Sequence, residues 1–307
     1  ITSDQSDPLG GTNAFSLSHS VTSLLTQNLS ELYGWYTMLV YVMSIPGGMI
    51  ADKLIGQKKA VLYGAIILCL GHGVLVLTDI WAFYTGLGLV ILGVGLLKPN
   101  ISTMVGGLYK EGDIRRDKGF SIFYIGINVG ALLATTVVAV VGKQYGFEYG
   151  FGLAGLGMLA GLFIFWGGRK KYAHVPNISI TEEGREKWLG MERWKTITLL
   201  SLLLIPLCMV LIFKNNILIY ILIAIFILVV FQLISAGVKE GGVWRDRMIA
   251  LTIMMVINII FWAAFEQAGT SLTLFAKENV NRMVGSWEMP ATMTQFFNPF
   301  FIITFGS

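Results

Sequence analysis

The chain has two cysteines, Cys69 and Cys208, each alone within an apolar run, so neither a disulfide framework nor a thiolate metal site is written in it. Its three histidines, His19, His72 and His174, fall in three separate regions. No HExxH or GxSxG string occurs, which removes the common zinc-hydrolase and serine-hydrolase signatures. A GxxxxGK(S/T) string is missing too, so the chain carries no nucleotide-binding loop of its own, and uphill work would have to draw on an ion gradient. Charge itself is scarce: 13% of residues are charged against 55% hydrophobic, and the mean hydropathy is +0.70. Such a composition excludes an ordinary soluble domain and points to a bilayer.

What fills the chain is a series of long apolar runs. Stretches of about 20 apolar residues lie near 32–50, 60–78, 81–104, 119–141, 149–167, 196–213, 217–237 and 248–276, with another starting near 291. An all-α polytopic membrane protein is the fold class this implies. Basic residues fall unevenly between alternate loops. Seventeen of the 22 lie in one set, among them Lys53, Lys58, Lys59, Arg115, Arg116, Arg169 and Arg245, while Lys143, Lys214, Lys277 and Arg282 make up the other, and Lys98 is left over. The positive-inside rule then places the N-terminal stretch outside and the basic loops in the cytoplasm. The net charge of +4 follows from topology and gives no reason to expect a nucleic-acid partner.

Two ionisable residues lie deep in these runs. Lys98, in GVGLLKPN, is 11 residues from the cytoplasmic end of its span near Tyr109, and Glu266, in FWAAFEQAGT, is 11 residues from the external end near Lys277. At about 1.5 Å per residue each is about 16 Å deep, near the middle of a core about 30 Å thick. A central charge costs about 2.5–3.5 kcal/mol on insertion scales and ordinarily faces a bundle interior or a watery cavity, paired. One cation and one anion suggest a pair. Gly86, Gly88, Gly93 and Gly95 precede Lys98 and Pro99 follows it, which suits either close helix packing or a bend that exposes backbone at a binding site. Amides at Asn100, Asn128, Asn258, Gln267 and Asn298, in several spans, fit a polar cavity.

The loop GMIADKLIGQKK (48–59), with Gly48, Asp52, Gly56, Lys58 and Lys59, resembles the cytoplasmic loop motif of the major facilitator superfamily with one residue inserted. Five strings narrow the resemblance: LYGWYTMLVY (32–41), GVGLLKPNIS (93–102), FSIFYIGINVGALLA (120–134), FWAAFEQAGTSL (261–272) and NPFFII (298–303). In order and spacing they are similar to the proton-dependent oligopeptide transporters. The resemblance implies core helices 2 to 7, the start of helix 8 and an inserted helical hairpin. It divides the chain into an external loop (1–28), part of the N-terminal bundle (29–171), a cytoplasmic linker (172–194), the hairpin (195–239) and the start of the C-terminal bundle (240–307). The family's first helix, with its E-x-x-E-R motif, has no counterpart in the sequence. With Ile1 at the start and an apolar run reaching Ser307, a piece of a longer protein is expected.

The resemblance also implies roles. Lys98 and Glu266 are expected to couple protons and hold substrate, Asn128 and Asn298 to contact peptide, Tyr41 and Trp262 to form walls, and the 48–59 loop to take part in the inward–outward switch. Trp262 and Glu266, four apart, share a helix face in any case. The expected activity is proton-coupled symport of di- and tripeptides in a prokaryotic inner membrane, by a monomer with no cofactor beyond the proton gradient. A relative moving nitrate, an amino-acid conjugate or another small solute is the alternative. An enzyme or an ungated channel finds no supporting motif.

Overall fold

A computed structural model describes residues 11–110, 112–175, 185–193, 195–196 and 216–306. Seven helical stretches among them are long and apolar enough to cross a membrane. The expected run at 196–213 lies outside the described residues, apart from its first position.

Helix α1 (Gly11–Ile50) ends in a wide π turn, Ala51–Ile55, and Gly56 reverses the chain at φ 81° into α2 (Gln57–Leu75). The stretch 1–28, expected as a loop, is helical from Gly11. Its apolar residues Leu17, Val21, Leu24, Leu25 and Leu29 recur at three- and four-residue steps, a helical period, although the stretch is too polar to register as a span. Asp79 caps α3 (Ile80–Gly107), its carboxylate accepting from the backbone N–H of Trp81 at 2.8 Å and Ala82 at 3.0 Å. After α3 come α4 (Arg115–Leu133), a π turn Ala134–Val138 and α5 (Ala139–Tyr145), which together form one span, then α6 (Phe147–Gly167). A short β hairpin, β1 (Lys187–Trp188) with β2 (Met191–Glu192), lies within the stretch expected to be a linker.

The second half starts with α7 (Asn216–Glu240), which packs along α8 (Gly242–Phe265). A 3-10 turn at Glu266–Gly269 separates α8 from α9 (Ser271–Asn279). A second hairpin, β3 (Met283–Val284) with β4 (Trp287–Glu288), and a 3-10 turn Ala291–Phe296 lead into α10 (Phe297–Phe305).

The tightest packing joins α1, α2 and α3, where Leu39, Met43, Leu68, Leu75, Ile91 and Leu92 are buried. The glycines of α3 serve this contact. A Cβ on Gly64 would lie 2.8 Å from the Gly93 carbonyl oxygen, and one on Gly95 would lie 2.7 Å from the Met43 carbonyl oxygen. Small residues bring backbones together in this way where lipid offers no hydrophobic drive. Asn100, 2% exposed, donates its amide to Leu96 O at 2.7 Å in its own helix and to Gly47 O at 3.3 Å in α1. Of the two uses open to the glycine-rich stretch before Lys98, the structure shows packing: α3 runs unbroken through Pro99.

The break falls instead in the run expected to be continuous from 248 to 276. The Ala268 carbonyl, released from helical bonding there, accepts from Thr273 Oγ1 at 2.6 Å and from Gln295 Nε2 at 3.0 Å. Both donors are side chains, which is how interrupted membrane helices keep their backbone satisfied. The apolar outer faces of α7 and α8, including Ile227, Phe231, Ile253 and Ile257, are exposed, as lipid-facing surfaces should be.

Candidate functional site

The interruption puts Glu266 at the end of α8, facing α1. Between these elements lies a cavity of about 1390 Å3. Tyr33, Thr37 and Tyr41 line it from one side, and Asn258, Trp262 and Glu266 from the other. Glu31 and Glu278 also border it, and among the described residues that line it none is Lys or Arg. The cavity is therefore acidic.

Tyr41 is the centre of the polar arrangement. Its hydroxyl donates to Glu266 Oε1 at 3.3 Å, and its ring lies 6.0 Å from that of Trp262. On the far side, Lys98 Nζ stands 4.3 Å from the Tyr41 ring centre, a cation–π distance. Lys98 and Glu266, expected to pair, make no direct ion pair. Tyr41 stands between them. The sequence suggested a pair of Lys98 and Glu266 but could not show that one tyrosine contacts both.

The remaining expected site residues are placed differently. Asn128 is buried, and its amide donates to Tyr124 O at 2.8 Å within α4; it does not line this cavity. Asn298 is exposed on α10 and also lies outside it. Gln267 does line the cavity, and its side-chain oxygen accepts from the Ser271 hydroxyl. Asn100 serves helix packing instead, as above. Tyr33, which the sequence did not single out, also lines the cavity, with its ring so near Gly269 that a Cβ there would force it to shift.

In the 48–59 loop, Asp52 accepts from Gln57 Nε2 at 3.3 Å across the Gly56 reversal. Lys58 Nζ donates to Ala173 O at 3.0 Å and lies 6.0 Å from the Tyr172 ring centre. Gly48 has open space around it and Lys59 is exposed. The loop is thus clipped to the segment that follows α6, where the Tyr172 hydroxyl donates to Phe165 O at 2.8 Å, and burial pushes the Tyr172 phenol above its usual range.

A second polar cluster lies around the β3–β4 hairpin, where the sequence offered Lys143 and Arg282 only as loop charges and did not single out Glu288. The Glu288 carboxylate accepts from Arg282 Nη2 at 2.6 Å on one oxygen and from Lys143 Nζ at 3.0 Å on the other. Lys143 and Arg282 hold this carboxyl below the usual range. The cluster borders a cavity of about 740 Å3 that also includes Lys277.

Comparisons with known proteins agree with this architecture. Residues 58–307 match the model of the POT family. Peptide transporter YePEPT of Yersinia enterocolitica is 37% identical over 294 residues, covering 90% of this chain and 57% of the relative. The di-/tripeptide transporter of Lactococcus lactis subsp. cremoris is 34% identical over 288 residues, covering 87% and 56%. Among solved structures, peptide transporter POT in complex with sulfate superimposes with a TM-score of 0.69 at 33% identity, covering 90% of this chain and 57% of that one. A POT family transporter in complex with 5-aminolevulinic acid gives 0.74 at 27% identity, covering 91% and 60%.

The chain has the multi-pass helical fold of the major facilitator superfamily, and it belongs to the POT family, the proton-dependent oligopeptide transporters. It spans about 57% of the length of YePEPT. These relatives are transporters rather than enzymes.

Proposed function

We propose that the protein carrying this chain moves di- and tripeptides into the cell together with protons, by alternating access. One observation carries the reading: Tyr41 separates Lys98 from Glu266 beside a large cavity. A zwitterionic peptide offers a carboxylate and an ammonium group. Had the two side chains neutralised each other, a substrate would first have to break their pair. With Tyr41 between them, Lys98 remains able to receive a carboxylate and Glu266 an ammonium group or a proton. Protonating Glu266 removes the charge that its hydrogen bond from Tyr41 serves, and so alters the contact between α1 and α8. This is the kind of differential interaction that can bias a two-state equilibrium.

The names of relatives from Yersinia and Lactococcus support peptides as the substrate class. A second reading, transport of an amino-acid-like solute, draws support from the 5-aminolevulinic acid bound to a transporter of the same fold. The test is uptake of labelled dialanine by the intact protein in liposomes, with and without an inwardly directed proton gradient. Gradient-dependent accumulation, competed by other dipeptides, is expected. Folded protein without uptake would overturn the peptide reading and favour the second.

A further inference from the structure

The external cluster joins parts of the chain that are 145 residues apart: Lys143 at the end of α5, in the first half, and Glu288 in the β3–β4 hairpin, in the second. Its two sides are built differently. On the hairpin side the acceptor is preformed. Arg282 donates to Met289 O at 2.6 Å and to Glu288 Oε1 at 2.6 Å, and its side chain is only 11% exposed. The hairpin is itself held by the Met283–Glu288 and Val284–Trp287 pairs. Glu288 is thereby presented with one oxygen directed at the other half. Lys143 fills that position and adds a second bond, to the Glu288 carbonyl at 3.2 Å. Just below, the π turn Ala134–Val138 packs against Ala291–Phe296.

We propose that Lys143, Glu288 and Arg282 form an ionic latch that holds the external ends of the two helical halves together, with Lys143 as the part that withdraws. The exposures suit a reversible device. Lys143 and Glu288 are 43% and 48% exposed, so water competes for both, and the pair is strong enough to bias the closed state without locking it. A deeply buried pair would be far costlier to separate. Arg282 remains behind with Glu288, so opening leaves the carboxylate partnered. The latch depends on the alternating-access reading for its purpose, but its test needs no substrate.

The experiment uses the intact protein in right-side-out vesicles, with Cys69 and Cys208 replaced and Thr37→Cys as a reporter in the cavity. A membrane-impermeant maleimide is applied from outside. Lys143→Gln and Glu288→Gln are each expected to raise the labelling rate about two- to fivefold, the effect of losing an exposed ion pair of ordinary strength. The double variant should exceed Glu288→Gln by little, since the Lys143–Glu288 interaction is already lost there, and Lys143→Arg should label at the parent rate. Unchanged labelling in the single variants, or effects that multiply in the double, would overturn the latch. A protein showing the expected pattern but taking up no dipeptide keeps the latch and loses the peptide reading.

Discussion

The Lys98 ammonium group lies 4.3 Å from the centre of the Tyr41 ring, and the hydroxyl of the same ring bonds Glu266 at 3.3 Å. One tyrosine thus touches both charges, through its face and through its edge. The two contacts can be removed separately. Tyr41→Phe keeps the ring beneath Lys98 and deletes the bond to Glu266, while Tyr41→Ala deletes both. For the intact protein the expected order of driven uptake is parent, then Phe, then Ala. The first step should be about fivefold, the value of a hydrogen bond worth about 1 kcal/mol. Equal activity of Phe and parent would remove the hydroxyl from the mechanism.

Glu266→Gln keeps the shape of the side chain and removes its titration. Proton-driven accumulation should be lost while counterflow exchange of preloaded substrate persists, because binding and the conformational cycle need not carry a proton in exchange. Full uphill uptake by this variant would show that coupling resides elsewhere.

Packing of α3 against α2 and α1 rests on approach distances that admit no side chain. Gly64→Val and Gly95→Val should each lower thermal stability by about 1–3 kcal/mol, the usual cost of overpacking, because the atoms they meet are the backbones of Gly93 and Met43. Gly126→Ala is the control, since no atom lies within 4 Å of the added carbon. A thermal-shift series on detergent-solubilised protein measures all three.

Asn100→Leu removes the link to Gly47 and should cost about 0.6–1.7 kcal/mol, the measured span for hydrogen bonds between membrane helices. Transport should be less affected than stability, because the residue faces α1 and does not line the cavity. The comparison of melting temperature with uptake rate tests this division.

The external pair should be insensitive to mild acid. Lys143 and Arg282, with Lys277 nearby, face Glu288 and depress its pKa below the unfolded value, about 4.3 for a glutamate. A depressed acid contributes its stabilisation above the unfolded pKa and loses it as pH falls through the lowered folded value. Reporter labelling from outside should therefore show no contribution from this pair between about pH 8 and pH 5. A rise in labelling across that range in the parent, absent from Glu288→Gln, would contradict the assignment.

The spans were legible because hydropathy and the bias of basic loops are written locally, residue by residue. The expected depth of Glu266 rested on counting helical rise along a continuous helix, which the turn at Glu266–Gly269 interrupts. Less visible was whatever depended on a neighbour far along the chain. Glycines at 93 and 95 could equally have marked a bend, and only the position of Gly64 and Met43 shows that they admit another backbone. Tyr41 was recognisable as a wall residue, yet its place between two charges depends on how α1, α3 and α8 converge. The break at Glu266 was hidden for a related reason. FWAAFEQAGTSL has no proline, and the donors that make its interruption tolerable include Gln295, beyond an intervening hairpin. Lys143 and Arg282 were legible only as loop charges, and nothing local tied them to Glu288, 145 residues beyond Lys143.

The way the Ala268 carbonyl is satisfied inverts an ordinary rule of protein stabilisation. Replacing a glycine within a helical stretch by alanine commonly gains up to about 1 kcal/mol. At Gly269 the same change would favour a longer α8, yet a continuous helix would forfeit the bonds from Thr273 and Gln295, and the new methyl would strike Tyr33. Better helix formers at this point would make a worse protein, and a consensus-guided search for thermostable variants should leave residues 266–270 alone.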